Sequence, residues 1–73
     1  MTPADLDRLE ALAHAATEGR WSLGYSADGV SYVNAGRRCI CRCDHRSHKA
    51  NAAFIAAANP STVLRLIAMA RKG

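Results

Sequence analysis

Asn51–Ile67, NAAFIAAANPSTVLRLI, is the longest apolar run in the chain, and its reading decides the fold. Ala50, Ala53, Phe54, Ala57 and Ala58 recur at helical spacing and read as one buried stripe. Asn59-Pro60 then interrupts the pattern. The Asn59 side-chain oxygen suits a helix cap, and Pro60 suits the first helical position, where its missing N–H is not needed. Val63, Leu64, Ile67 and Ala70 carry an apolar stripe beyond the break. The stretch therefore predicts a short helix, a bend and a closing helix, which together turn one apolar surface toward a small sheet. Phe54 is the largest side chain on that surface and reads as its anchor.

Upstream, Thr2-Pro3-Ala4-Asp5 is a helix start: a cap, a proline in the first turn and a negative charge near the positive helix end. Leu6, Leu9, Leu12, Ala13 and Ala16 form its apolar stripe, and Gly19 reads as its stop, so the helix runs over about 3–17. From Arg20 the period changes. Trp21, Leu23 and Tyr25 alternate with Ser22, Gly24 and Ser26, which is the pattern of a half-buried strand. Asp28-Gly29 signals a hairpin turn, Val30–Asn34 the returning strand, and Ala35-Gly36 a second turn. Arg38–Cys43, RCICRC, reads as a third strand, with Cys39, Cys41 and Cys43 on one face and Arg38, Ile40 and Arg42 on the other. Asp44–Lys49 is a polar loop into the final helices. The expected fold is α+β in the order α-β-β-β-α-α. A small three-stranded antiparallel sheet is packed against helices, in a single domain over 1–73. The mutually buried set is expected to be Leu6, Leu9, Leu12, Trp21, Phe54, Val63, Leu64 and Ile67.

Seventy-three residues leave room for one modest core, and stability at this size is marginal without a metal, a disulfide or a second copy of the chain. No run of about 18 apolar residues is present, so no membrane span and no membrane partner is expected. The first residues, MTPADLDRLE, lack the basic start of a signal peptide. Three cysteines are an odd number, which argues against a closed disulfide framework and for a reducing cytosol. The chain is a small basic protein of net charge +4. Arg37, Arg38, Arg42, Arg46 and Lys49 fall close together, Arg65, Arg71 and Lys72 cluster near the end, and Asp5, Asp7, Glu10 and Glu18 sit at the front. A basic face attracts nucleic acid or an acidic protein surface.

Cys39, Cys41, Cys43, His45 and His48 form a run rich in metal-ligand types. Alternate residues on a strand are about 6.6 Å apart, whereas two sulfurs on one zinc lie about 3.8 Å apart. An extended strand cannot bring all three thiols to one ion. A zinc site would have to use Cys43, His45 and His48 where the loop curls, with a fourth ligand from elsewhere. Free cysteine is among the most buried residue types, so Cys39 and Cys41 are expected as inward, unreactive thiols, and no cofactor is expected. A Cys–His nucleophile pair would need an orienting group and a pocket, for which so small a domain has little room. No enzymatic activity is expected, and no catalytic residue is assigned. Tyr25 and Tyr32 flank the hairpin. With Arg37, Arg38, Arg42, Arg46 and Lys49 they form the expected partner-binding set, because tyrosine and arginine are enriched at interfaces.

Two segments carry a family resemblance: Ala15-Ala16-Thr17-Glu18-Gly19-Arg20-Trp21, and Asn51–Pro60 followed by Val63-Leu64. Together they resemble the Ead-like family of temperate-phage accessory proteins, in which an AAT-x-G-x-W segment precedes a variable β region and a closing DAAFIAAANP-x-x-V-x-x-L segment. Asn51 stands where that family often has aspartate, and Arg20 where it often has proline. Ser22–Lys49 carries no match. The resemblance implies a phage or prophage origin and a site of action in the host cytoplasm, and it implies no catalytic residues. Phage proteins of this size often bind and block a host system. The expected function is thus a non-enzymatic accessory protein that binds a host protein or ribonucleoprotein assembly, most concretely a host-defence inhibitor such as an anti-CRISPR. The alternatives are a nucleic-acid-binding module using Arg37–Lys49, or a small zinc-stabilised domain. A homodimer formed through the uncovered sheet, doubling that basic surface, is also expected.

Overall fold

The computed structural model describes residues 1–26 and 28–72. Helix α1 spans Pro3–Ala15 and opens on a reciprocal cap. The Asp5 N–H donates to Thr2 Oγ1 at 3.2 Å, and the Thr2 N–H donates to Asp5 Oδ2 at 2.9 Å. Hydrogen bonds accepted from the Thr2 backbone, and then from its side chain, hold the Asp5 carboxyl below its ordinary value of 3.8. A depressed carboxyl stabilises the folded state fully above its unfolded value and loses that contribution as pH falls through the lower folded one. Thr2→Ala is therefore expected to lower the helix signal at neutral pH and to make its acid decline shallower, in a circular-dichroism titration from pH 6 to 2. An unchanged acid limb would show that the cap does not link α1 to pH.

The helix is shorter than its apolar stripe suggested. Ala16 is already extended, and its N–H closes the last turn on the Leu12 carbonyl at 3.1 Å. Gly19, expected as the helix stop, lies beyond it with φ +104° and turns the chain into the sheet. The Trp21 indole N–H donates to the Thr17 carbonyl at 3.0 Å and pins this connection.

Strands β1 (Trp21–Tyr25), β2 (Ser31–Ala35) and β3 (Arg38–Cys43) form an antiparallel sheet in the order β1-β2-β3. β2 thus lies one residue later than the alternation in Val30–Asn34 indicated. β1 and β2 pair without interruption from Trp21↔Ala35 to Tyr25↔Ser31. β2 and β3 do not. Ser31↔Cys43, Tyr32↔Arg42 and Val33↔Cys41 share one register, whereas Asn34↔Cys39 and Ala35↔Arg38 share another, and Ile40 is left over as a bulge. Gly36, at φ +61°, begins the two-residue turn that joins these strands.

Helix α2 (His48–Ala57) covers one face of the sheet. Ser31 and Val33 are fully buried beneath it, and Ala52 is the fully buried residue of the helix. Asn59 ends this layer as expected: its Nδ2 donates to the Ala56 carbonyl at 2.9 Å, and its Oδ1 accepts the Thr62 N–H at 3.0 Å. Helix α3 (Pro60–Lys72) leaves at 59° to α2 and packs on α1. Arg71 reaches Asp7 at 2.8 Å and Glu10 at 3.7 Å, so the two helices run antiparallel. Ile67 and Ala13 are the buried residues of this second layer. The molecule is accordingly long and thin, 43 × 24 × 15 Å.

This arrangement corrects the expected core. Phe54 is 73% exposed and anchors nothing, and Leu12 is also exposed. Trp21, Leu6, Leu9, Val63 and Leu64 are half-buried, leaving Ile67 as the one fully enclosed member of the set. The buried stripe of α2 lies one face away from the expected one. Ala50, Ala53, Phe54 and Ala57 face outward, and His48, Ala52, Ile55 and Ala56 face the sheet. Both stripes have helical spacing. The one with smaller side chains lets the helix approach Ser31 and Val33 closely, which a phenylalanine there would prevent. α3, expected to face the sheet, instead pairs with α1.

Candidate protein-docking surface

β3 and α2 are joined by a tight polar turn. The His48 N–H donates to the His45 carbonyl at 2.8 Å, and the Ser47 N–H donates to His45 Nδ1 at 3.2 Å. The turn sets α2 beside the β3 edge. This places Phe54 against a shallow cleft of about 350 Å³ lined by Arg42, Cys43, Asp44, His45, Asn51 and Ile55. Arg42 and Asp44 pair at 3.6 Å across exposed positions, a contact worth little to stability.

The expected binding residues divide into groups. Tyr32 and Arg42 are cross-strand partners on the face away from α2. Tyr25 is 61% exposed and lines a separate cleft of about 440 Å³ with Ser26, Gly29, His48 and Lys49. Arg46 is exposed in the turn. Arg37 and Arg38 are exposed at the opposite end of β3, about five strand residues or 16 Å from Cys43. The basic stretch is therefore not one surface. The exposure of Phe54 is not legible in the sequence, because its apolar character fits a core as well as a surface. Nor is the meeting of Arg20 and Arg65 beside Asn59, Ser61 and Thr62 at the start of α3, since no local pattern links residues so far apart.

Ser31 Oγ lies 2.7 Å from His48 Nδ1. The hydroxyl is fully buried between α2 and the sheet, so this pair fastens the layer together. Among the described residues, no three His, Cys, Asp or Glu side chains gather in a metal-binding group.

The thiols differ from expectation. The bulge pairs Cys39 with Asn34, on the face away from α2, and Cys39 is exposed. Cys41 and Cys43 share the covered face and are half-buried, with their sulfurs 4.0 Å apart. Leaning side chains have narrowed the backbone spacing of about 6.6 Å to 4.0 Å between the sulfurs, so that spacing does not keep a pair of thiols apart. Burial, and then the hydrogen bond with Cys43, pushes the Cys41 thiol up. Under native alkylation Cys39 is expected to react first and Cys41 slowest, read by peptide mass mapping over time. Equal rates would contradict this placement of β3.

No single helix among the described residues is long and apolar enough to cross a membrane. No family model matches the chain, and no curated protein or solved structure matches it either.

Proposed function

We propose that this protein is a non-enzymatic binding module of temperate-phage origin that docks on a host protein assembly, most concretely as a host-defence inhibitor such as an anti-CRISPR. The phage origin rests on the resemblance of Ala15–Trp21 and Asn51–Leu64 to the Ead-like proteins. One structural observation supports docking: Phe54 is 73% exposed and lines a cleft with Arg42 and His45. Exposed aromatics beside arginine are the residue types that dominate protein–protein binding energy.

The test is a plaque assay on host cells whose CRISPR–Cas system targets the plated phage. Expression of the protein is expected to restore plaques, and Phe54→Asp with Arg42→Glu to abolish that restoration. Truncating one such anchor typically weakens binding about 30-fold or more. Both residues are exposed, so the unfolding midpoint should not move appreciably. Failure to restore plaques, with binding to random-sequence DNA or RNA that falls steeply with salt, would replace this reading with a nucleic-acid-binding one.

A further inference from the structure

The α1–α3 pair buries Ile67 and Ala13 between its helices and leaves one broad face apolar and uncovered. An almost wholly apolar groove of about 250 Å³ runs along it, lined by Met1, Leu6, Leu9, Val63, Leu66 and Ala70. Leu12 and Met69 extend it at helical spacing and are 58% and 68% exposed. The chain exposes enough excess surface to supply what a dimer hides. A compact chain of 7.8 kDa exposes about 4,400 Å², whereas this one exposes 5525 Å². A standard interface removes about 800 Å² from each partner. The radius of gyration points the same way: 13.9 Å, against about 11 Å for a compact domain of this length.

Charge selects the occupant and its orientation. Asp7 and Glu10 of α1 already pair with Arg71 of α3 within the chain, which leaves Asp5 as the α1 acid, and Arg65 and Lys72 as the α3 bases, with no ion pair among the described residues. Asp5 continues the Leu9–Leu12 stripe, and Arg65 and Lys72 flank Met69 at positions i−4 and i+3. A two-fold axis parallel to the helices lays α1 of one copy over α3 of the other, so acid meets base twice. The perpendicular axis would lay α1 over α1. We infer that this face is a homodimer interface, a four-helix layer in which Asp5 meets the partner's Lys72 and Leu66 and Met69 fill the centre. It lies on α1 and α3, away from the sheet and from the Phe54 cleft, and does not depend on the function proposed above.

Light scattering at roughly 100 μM chain, where a micromolar Kd leaves mostly dimer, is expected to give twice 7.8 kDa. Leu66→Glu with Met69→Glu should give the monomer mass, with Kd raised more than about a hundredfold and an unchanged circular-dichroism spectrum, since both side chains are exposed. Lys72→Glu should dimerise more weakly than the wild type with its helix signal unchanged, because it leaves the Thr2–Asp5 cap intact. A wild type that stays monomeric, a Leu66→Glu/Met69→Glu protein that stays dimeric, or a Lys72→Glu chain that dimerises like the wild type would overturn the inference.

Discussion

Ile67→Ala is expected to cost about 2–5 kcal/mol, the range for truncating a large aliphatic side chain in a core. Ile67 is 2% exposed and lies where α3 meets α1. Few other contacts hold that layer. A domain of this length has about 4–11 kcal/mol of total stability, so the variant should be marginal and should lose α1 first. Phe54→Ala is the matched control. It removes a larger side chain, yet at 73% exposure it should move stability by less than about 0.5 kcal/mol. Urea unfolding followed at Trp21 and by helix signal measures both. A cost below about 1 kcal/mol at Ile67, or above about 2 kcal/mol at Phe54, would reverse the assignment of core and surface.

Ala52→Glu should have a still larger effect and prevent stable folding. Ala52 has no exposed surface and faces the sheet layer that contains Val33 and Ser31. A glutamate there must either enter as an unpaired charge or push α2 off the sheet, and each costs several kcal/mol. Ala53→Glu, one residue along, points to solvent and uses a good helix former, so it should match the wild type. Thermal melts of the two variants decide the matter. Equal melting temperatures would mean that α2 presents its other stripe to the sheet.

These pairs of substitutions mark where sequence and structure part. The element order was legible because each signal there is local: the Thr2–Asp5 cap, the Trp21–Tyr25 alternation, and the Asn59-Pro60 break. Such signals depend on neighbours within four residues, and the folded chain kept them. The burial of α2 was not legible in the same way. An alanine-rich helix has two stripes of nearly equal hydrophobicity, and the choice between them depends on how closely the sheet approaches. That is a property of Ser31 and Val33, some twenty residues upstream. The position of Cys39 was hidden for a related reason. Strict alternation along RCICRC puts three thiols together, and only the pairing with β2 reveals that the alternation breaks at Ile40. Of the expected docking set, Tyr32 with Arg42 and Tyr25 with Lys49 came together, because the strands and the start of α2 bring them there. Arg37 and Arg38 did not, since adjacency along a strand is distance along its axis.

The break at Ile40 also gives the hairpin a spare residue. A two-residue turn fixes Ala35 opposite Arg38 and Asn34 opposite Cys39, while the outer half of the strands is matched one step differently. Ile40 takes up the difference. Removing it would leave every existing partner in place and merely complete the ladder. Few positions in so short a chain have this slack, since a length change within β1 or α2 would turn each following side chain to the wrong side. The β2–β3 hairpin can therefore shorten by one residue without disturbing either the layer beneath α2 or the turn that presents Phe54.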